Sequence, residues 1–381
     1  MPPFSRHLVL DARTIRPGAS GVGHYVAGLL DGLGECLAAG APWRVTAIVL
    51  RGTSGEIPAP IEVLETDADY ERHPSGDWWL HGELPRLVER LGGDVLVSPA
   101  FLAPAGRRRF ARLVGVLDSL AWDDPATVPL PFRTYLKTAT RLGAWGADGL
   151  FTLSPPAARR LRALGFRNGL HSVLPPAFDP ERFRAGGGGG GVLPDGTPKQ
   201  RPLILYTASF EPRKNHQVLF EALRHPALAA CGADLVLLDR RAPELAAAFE
   251  RRTRGLAVRF VAPEGLAGVA AWTRAADAVA FPSRSEGFGM PALEAMACGV
   301  PLVASDIDVM RWLTVRGRCA HLVAPHDAAA WARALARALE DPHSSEWNAR
   351  VADGMRRAAR FSWRRTAGLL LAMAGKAARS R

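Results

Sequence analysis

The sequence predicts an α/β protein made of two Rossmann-like domains, each with a parallel sheet and helices on both faces. Short apolar strands alternate with helical segments along most of the chain, which is typical of parallel sheets. The length of 381 residues favours two domains. Six consecutive glycines at 186–191, followed by a polar segment with two prolines, predict a flexible linker between the two halves.

These observations give the predicted domain boundaries. We expect an N-terminal domain at 1–184, a linker at 185–199, a C-terminal domain at 200–358 and a terminal helix at 359–381. Each domain should carry its own sheet, because the alternation of strands and helices restarts after the glycine run.

The composition argues against several classes of protein, namely membrane-spanning, secreted, zinc-binding and disulfide-linked proteins. No run of 18 apolar residues is present, so no membrane-spanning helix is expected, and the first residues do not form a secretory signal. The 4 cysteines are scattered and form no Cys-x-x-Cys pair, which predicts neither a zinc site nor a disulfide framework. A cytoplasmic location is therefore the default expectation.

The net charge of +11 comes almost entirely from arginine. Such a charge suits nucleic acid, an anionic membrane surface or an acidic substrate. No helix-turn-helix, zinc finger or RNA-binding signature is present, so we expect no nucleic-acid partner. Two readings stay open: peripheral contact with an anionic membrane at the inner face, for example through Arg107, Arg108 and Arg109, or a genome rich in Arg, Ala and Gly codons.

The first half begins as a Rossmann-like unit. An apolar strand at 8–12 leads into a glycine-rich bend at 18–23 and an apolar helix at 24–37. The glycines do not have the Gly-x-Gly-x-x-Gly spacing of a dinucleotide site, so the bend is either a ligand loop or a tight turn. Further strands are predicted at 45–50, 94–98, 113–117, 149–153 and 172–174, and helices at 77–91 and 132–144. Ser154 and Pro155 predict a helix start, as N-cap and first helical residue.

The second half starts with a strand at 202–207. The run Glu211-Pro-Arg-Lys-Asn215 then opens a helix at 216–224. Arg213 and Lys214 lie between strand and helix, where cations and free N–H groups can converge on a diphosphate; the alternative is a pair of solvated loop charges. Strands follow at 235–238, 258–261 and 278–281, with helices at 270–275 and 331–339.

Residues 281–305 form the most informative stretch. Glu286 precedes a Gly-Phe-Gly turn, Pro291 suits a first helical position, and Gly299 suits a helix C-terminus before the strand that starts at Pro301. Free N–H groups at the helix start can hold a phosphate, and Glu294, one turn into the helix, can accept hydrogen bonds from the vicinal hydroxyls of a ribose. Considered alone, the same residues also fit a simple capped helix with an acid near its positive end.

This stretch resembles the signature of family 4 retaining glycosyltransferases, which have the two-domain GT-B fold. The matching elements are a Pro-Ser before the first glutamate, Glu-Gly-Phe-Gly, a proline, the second glutamate and Ala-Met-Ala-Cys-Gly-x-Pro. The resemblance extends over nearly the whole chain, in order. It implies two domains facing a cleft, with the last helix crossing back onto the N-terminal domain.

The resemblance implies transfer of a hexose from a nucleotide-sugar to a saccharide or glycolipid acceptor, with retention and without a cofactor or metal. Arg213 and Lys214 would neutralise the departing diphosphate, Glu294 would hold the ribose, and Glu286 would orient the sugar. Other implied donor-binding residues surround these or lie in the first glycine bend: Gly287, Phe288, Gly289, Met290, Pro291, Gly21 and Gly23. Asp118 would reach the sugar from the other domain.

The chain departs from the family pattern at two places. Leu117 stands where many relatives have a histidine before Asp118, and Pro176-Ala177 replaces an Asn-Gly. These departures favour a non-catalytic subunit of the same fold as an alternative. A nucleotide-sugar epimerase of that fold is a further alternative. The Pro-Arg-Lys-Asn run resembles mannosyltransferases of surface polysaccharide assembly, which implies GDP-mannose as donor.

Two Asp-x-Asp sequences resemble the metal-binding signature of a different glycosyltransferase fold. They are Asp67-Ala-Asp69 and Asp306-Ile-Asp308. We expect neither to bind a metal, because Asp67 and Asp69 lie in the other half from the donor residues, while Asp306 and Asp308 suit capping of a helix that starts near Val309.

Overall fold

The structure is a computed structural model that describes residues 6–16, 21–53, 55, 57–69, 75–125, 129–167, 169–186, 191–342 and 344–381. It divides the chain into two units. The first comprises Met1–Ala177 with Phe361–Arg381, and the second comprises Phe178–Arg360. The division therefore falls earlier than the boundary predicted at 184, and the terminal segment groups with the first unit.

The described part of the first unit contains a seven-stranded parallel sheet in the order β3-β2-β1-β4-β5-β6-β7. Its strands are β1 (Arg6–Asp11), β2 (Trp43–Leu50), β3 (Glu62–Thr66), β4 (Val95–Ser98), β5 (Ala111–Gly115), β6 (Gly149–Thr152) and β7 (Leu170–Val173). Its helices are α1 (Gly21–Ala38), α2 (Ser75–Trp78), α3 (Leu84–Arg90), α4 (Leu120–Asp123), α5 (Leu130–Ala144), α6 (Pro155–Ala163) and α15 (Trp363–Arg379).

The second unit has a six-stranded parallel sheet, among its described residues, in the order β10-β9-β8-β11-β12-β13. Its strands are β8 (Leu203–Thr207), β9 (Asp234–Leu238), β10 (Val258–Val261), β11 (Ala278–Phe281), β12 (Leu302–Ser305) and β13 (His321–Val323). Its helices are α7 (His216–Arg224), α8 (Pro226–Ala229), α9 (Ala242–Thr253), α10 (Gly265–Ala275), α11 (Met290–Cys298), α12 (Asp308–Leu313), α13 (Ala328–Glu340) and α14 (Ser345–Ala358).

Helix α15 closes the core of the first unit. Its apolar face, which includes Leu370 and Ala374, joins the cluster formed by β1, β2 and α1. Close approach depends on Gly28 of α1, because a Cβ atom there would lie 2.1 Å from the Trp363 ring. Arg6 also donates a hydrogen bond to the carbonyl of Gly375, which ties β1 to the terminal helix.

Several local predictions differ from the structure, among them the start of α1, which lies at Gly21, inside the predicted glycine bend. The helix expected at 77–91 is instead α2, a π-helical turn at Trp79–Glu83 and α3. Strand β3 was missed, because it is an edge strand whose polar residues break the apolar pattern. In the predicted linker, 187–190 lie outside the described residues, whereas 191–199 fold back in a turn in which Lys199 N–H donates to the carbonyl of Gly191.

The predicted start of α6 is confirmed. The Ser154 hydroxyl accepts a hydrogen bond from the Ala157 N–H, and Pro155 is the first helical residue. Within the part of the chain that the structure describes, no helix combines the length and the apolar character needed to cross a bilayer.

Candidate active site

The candidate active site of the second unit lies where strands β8 and β11 end. These strands are neighbours in the sheet and run parallel, so the segments that follow them start at the same edge. After β8 the chain forms a short 3-10 turn, Pro212–Lys214, and then α7; after β11 it forms a loop and then α11. Ligands of open α/β sheets bind at this edge, outside the carboxyl ends of the strands.

Backbone contacts hold the two segments together. The Arg284 N–H donates to the Arg213 carbonyl at 2.8 Å, and the Tyr206 hydroxyl donates to the Lys214 carbonyl at 2.6 Å. Asn215 adopts a left-handed conformation with φ of 58°, which asparagine tolerates better than most residues. Its side-chain amide donates to the carbonyls of Pro282 and Pro325, so the start of α7 is fixed against both loops.

Glu286 is the centre of the charged cluster. Lys214 Nζ donates to its Oε1 at 2.6 Å, and Arg213 donates to its Oε2 at 3.0 Å. The guanidinium of Arg213 also donates to Glu211 at 2.7 Å and to the Ser285 carbonyl at 3.2 Å. Two cations and two carboxylates therefore alternate in a nearly buried network, which fixes the geometry of both cations.

The network determines the charge of its carboxylates. Burial by itself would raise the pKa of Glu286, but the charges of Lys214 and Arg213, with their hydrogen bonds, lower it to about 2. The pKa of Glu211 is also lowered, since burial is outweighed by Arg213 and by hydrogen bonds from Ser209 and Arg213. Glu286 is thus an anion at neutral pH and a very weak base.

Helix α11 places Glu294 in a different environment. The carboxyl group is buried, and burial raises its pKa to about 7. Among the described residues no hydrogen bond or ion pair satisfies this group. A carboxyl group with this pKa gains stabilisation from any ligand whose hydroxyls donate to its charged form.

The turn before α11 is built on Gly289. Its φ of 97° is unfavourable for residues with a side chain, and a Cβ atom would lie 2.5 Å from the Met310 methyl group. Phe288 is buried and packs edge-on against Trp312 at 5.8 Å, so its side chain belongs to the core. Of the predicted donor-binding residues, Gly287, Phe288 and Gly289 are buried and therefore offer a ligand mainly their backbone, whereas Met290 and Pro291 are partly exposed.

The other predicted site residues lie in the first unit. Asp118 follows β5, is half-buried and accepts a hydrogen bond from the Leu120 N–H at 3.0 Å. Leu117 is buried in the core cluster. Gly21 is the exposed first residue of α1 and Gly23 is buried, while 17–20 of the same glycine bend lie outside the described residues.

The Asp-x-Asp sequences are engaged in ion pairs. Both oxygens of Asp67 accept from Arg51, and both oxygens of Asp306 accept from Arg311. The predicted capping by Asp306 and Asp308 is wrong, because Ile307 occupies the N-cap position and α12 starts at Asp308 without a side-chain cap. No cluster of three or more potential metal-ligating side chains occurs in the described ranges.

Sequence reasoning missed several supporting residues. Glu211 accepts a hydrogen bond from Arg213 and so anchors it. Ser283 lowers the pKa of Glu286 through a hydrogen bond. The hydroxyl oxygens of Tyr206 and Ser283 lie 3.4 Å apart. The position of Glu211, two residues before Arg213 in the sequence, could have indicated that their side chains pair. Ser283 belongs to the Pro-Ser element of the motif, but its contact with Tyr206 had no signal, since the two residues meet only through the pairing of β8 with β11.

Comparison with known proteins shows the family to which the chain belongs. Residues 201–341, which include the charged cluster and α11, match the family described as "Glycosyl transferases group 1". A relative from Actinosynnema mirum, named D-inositol 3-phosphate glycosyltransferase, is 30% identical over 376 residues, covering 95% of this chain and 84% of the relative.

Solved structures share the fold. Sucrose-phosphate synthase from Thermosynechococcus elongatus superposes with a TM-score of 0.73 at 20% identity, over 96% of this chain and 97% of the other. HepE from Anabaena, solved with UDP and glucose, gives a TM-score of 0.69 at 17% identity, over 96% and 98% of the two chains. Together with the two parallel α/β units, these likenesses establish the GT-B fold. The chain belongs to the group 1 glycosyltransferases and is a sugar-transferring enzyme.

Proposed function

We propose that the protein transfers a hexose from a nucleotide diphosphate sugar to a hydroxyl of a saccharide or lipid-linked saccharide, with retention at the anomeric carbon. The observation that carries the proposal is the fixed pair of cations, Arg213 and Lys214, held around Glu286 beside the helix of Glu294. Two cations at a strand-to-helix junction suit a leaving diphosphate, whose negative charge grows as the glycosidic bond breaks.

Glu286 acts by positioning and electrostatics in this proposal. Both of its oxygens already accept hydrogen bonds from cations, and its pKa of about 2 makes it a poor proton acceptor. Its carboxylate and the backbone from Gly287 to Met290 orient the sugar. The acceptor proton then passes to the leaving phosphate during attack on the same face, which gives retention without a covalent enzyme intermediate.

Glu294 is proposed to hold the ribose of the donor. Its buried carboxyl group lacks a partner among the described residues, and two vicinal hydroxyls would supply two donors. Asp118, Gly21 and Gly23 of the first unit are proposed to contribute to the sugar and phosphate contacts. The alternatives of the same fold, an epimerase or a subunit without activity, have less support, because the charged cluster is complete.

The sugar and the acceptor have two candidate assignments. The Pro-Arg-Lys-Asn run supports GDP-mannose with a saccharide acceptor on a lipid carrier, which would bring the enzyme into peripheral contact with an anionic membrane. The relatives named D-inositol 3-phosphate glycosyltransferase support a second candidate, transfer to a polyol phosphate. UDP in the HepE structure makes UDP-glucose a donor to compare.

One assay separates these assignments. The protein is incubated with GDP-mannose or UDP-glucose, and with either a membrane lipid extract or inositol 3-phosphate. Release of nucleoside diphosphate and NMR of the product report the donor, the acceptor and the anomeric configuration. A product of inverted configuration, or a free epimerised nucleotide-sugar, would contradict the proposal; the Glu286→Gln variant serves as the inactive control.

A further inference from the structure

Helix α5 and the neighbouring α2 expose large apolar side chains. Trp78, Leu130, Phe132, Leu142 and Trp145 are between 45% and 77% exposed. Isolated exposed side chains are ordinary, but these lie on α2 and along α5, two elements joined by the hydrogen bond from the Tyr135 hydroxyl to Asp77 at 2.6 Å. Clustered exposure of this kind marks an interaction surface.

The same helix carries a basic row. Arg133, Lys137 and Arg141 follow one another at intervals of four residues and therefore lie on one side of α5. The adjacent row at the same interval is Leu130, Thr134, Thr138 and Leu142, which is apolar at its two ends. The sequence of α5 contains no acidic residue. Cations and apolar side chains thus share the outward part of one helix.

The last turns of α5 hold the helix in place. Thr140, Gly143 and Ala144 are buried, and a Cβ atom on Gly143 would lie 3.1 Å from the backbone of Ala103. Trp122 supports the basic row, since the Lys137 ammonium lies 5.9 Å and the Arg141 guanidinium 5.5 Å from the Trp122 ring. The surface is therefore presented on a fixed helix.

Two depressions adjoin the C-terminal end of α5. One of about 300 Å³ lies between α5 and the π-helical turn and is lined by Leu80, Leu102 and Leu142. Another of about 890 Å³ is bordered by Trp145 and Arg107. The walls of the first are largely apolar and include Asp77, which suits an acyl chain more than a phosphate. The lining of the second also contains Arg107 and Arg381, which suit a phosphate headgroup.

We propose that this α5 surface, made of Trp78, Leu130, Phe132, Leu142, Trp145 and the row Arg133, Lys137 and Arg141, docks the first unit on an anionic lipid bilayer. The inference deepens the membrane contact proposed above and rests on that proposed function. It places the contact on α5 rather than on the run from Arg107 to Arg109 alone.

The chemistry favours a bilayer over a protein partner. The cores of protein interfaces are depleted in charged residues, particularly lysine. On α5 the cations lie beside exposed phenylalanine and leucine, and exposed tryptophans lie on α2 and directly after α5. Cations next to such side chains are typical of helices that lie in the headgroup region of a membrane. The absence of acid from the sequence of α5 complements an anionic lipid surface.

Vesicle sedimentation tests the inference on the full-length protein. The vesicles contain phosphatidylcholine alone or phosphatidylcholine with phosphatidylglycerol, at low and at high salt. The basic-row variant carries Arg133→Gln, Lys137→Gln and Arg141→Gln, and the apolar variant carries Trp78→Ser and Phe132→Ser. The matched control removes the same charge from exposed arginines of the second unit, through Arg251→Gln, Arg254→Gln and Arg333→Gln.

We expect the parent to sediment with the anionic vesicles and the control to follow it. The basic-row variant should bind them roughly 100-fold more weakly at low salt, because each cation near the surface contributes separately. The apolar variant should lose the binding that survives high salt. No sedimentation of the parent, or equal loss in the basic-row and control variants, would overturn the inference.

A second readout keeps this inference distinct from the proposed function. Donor turnover with a water-soluble acceptor should be the same in the parent and in all three variants, and equal melting temperatures report intact folding. Activity without vesicle binding would refute the docking surface and leave the transferase proposal standing. Vesicle binding without turnover would refute the transferase proposal, and loss of both would refute both.

Discussion

The Lys214 ammonium donates to Oε1 of Glu286 at 2.6 Å, across 72 positions of sequence. The contact joins the turn after β8 to the loop after β11. Arg213 completes it on the other carboxylate oxygen. Because both cations are held by one nearly buried anion, their positions are fixed before a ligand arrives. A diphosphate bound as proposed would have to share them with Glu286.

Replacing Glu286 with glutamine should lower stability and turnover together. The change leaves two nearly buried cations without their shared anion, so we expect a loss of about 3 kcal/mol in the free energy of unfolding. The pKa of Glu286 is depressed in the folded state, so its stabilisation is present above the unfolded value near 4.5 and is lost as pH falls towards about 2. Urea unfolding at several pH values measures the loss in the free energy of unfolding and its dependence on pH. Glu221→Gln, an exposed change on α7, is the control, and an equal effect in both variants would contradict the prediction.

Loss of either cation should weaken binding of the diphosphate. Arg213→Ala and Lys214→Ala each remove a charge-assisted hydrogen bond of about 1.5–3 kcal/mol. Calorimetry with nucleoside diphosphate and with nucleoside separates the phosphate contacts from the rest of the ligand. Arg251→Ala, on the exposed end of α9, should change neither affinity. Unchanged diphosphate affinity in both variants would exclude these cations from the phosphate site.

Glu294 should make donor binding dependent on pH around neutrality. Its pKa of about 7 leaves part of the carboxyl group protonated, and ribose hydroxyls donate to the ionised form. The phosphates of the intact donor do not titrate in this range. Affinity for the donor should therefore rise between roughly pH 6 and pH 8, one unit on either side of the pKa of Glu294. Glu294→Gln should bind more weakly and without this slope.

The same carboxyl group should reduce stability at higher pH. A folded pKa raised above 4.5 contributes stability below that value, and this contribution is lost as pH rises through about 7. The loss for a fully buried group is on the order of 3 kcal/mol. In the parent the melting temperature should fall as pH rises from roughly 5 to 7, and Glu294→Gln should remove this fall. An identical profile in the parent and the variant would place the group in a solvated setting.

Gly28→Ala should destabilise the first unit by loosening α15. The added Cβ atom would overlap the Trp363 ring at 2.1 Å, and forced overpacking costs about 1–3 kcal/mol. Gly368→Ala is the matched control on α15, because no atom lies within 4 Å of the added Cβ. The control should be neutral or stabilising, since alanine favours helix. Equal melting temperatures for the two variants would contradict the close packing of α1 against Trp363.

Transfer should persist in excess chelator. In the proposed site Arg213 and Lys214 would supply the positive charge that a diphosphate needs. Both carboxylate oxygens of Asp306 accept hydrogen bonds from Arg311. Product formation is measured by NMR, so that no coupling enzyme requires a metal. Loss of activity on chelation, restored by magnesium and absent in Asp306→Ala, would overturn both metal independence and the proposed donor site.

The sequence alone determined the class of fold and the local form of the segment at 281–305. Alternating apolar strands and helices predicted parallel sheets because strands buried on both faces must be apolar throughout. The start of α7 at His216 and the glycine end of α11 at Gly299 were also predictable, since Asn and Gly tolerate the left-handed conformation found at these helix ends and Pro fixes φ. These features depend on residues close together in the chain.

Only the tertiary structure decided which groups meet and how they ionise. Strands β9 and β10 come between β8 and β11 in sequence, yet β8 and β11 are neighbours in the sheet, and this pairing brings Lys214 to Glu286. The raised pKa of Glu294 and the lowered pKa of Glu286 come from burial and from neighbouring charge. Two glutamates of one motif therefore have opposite electrostatic properties, because the free energy of a charge depends on its surroundings in space and not on its position in the chain.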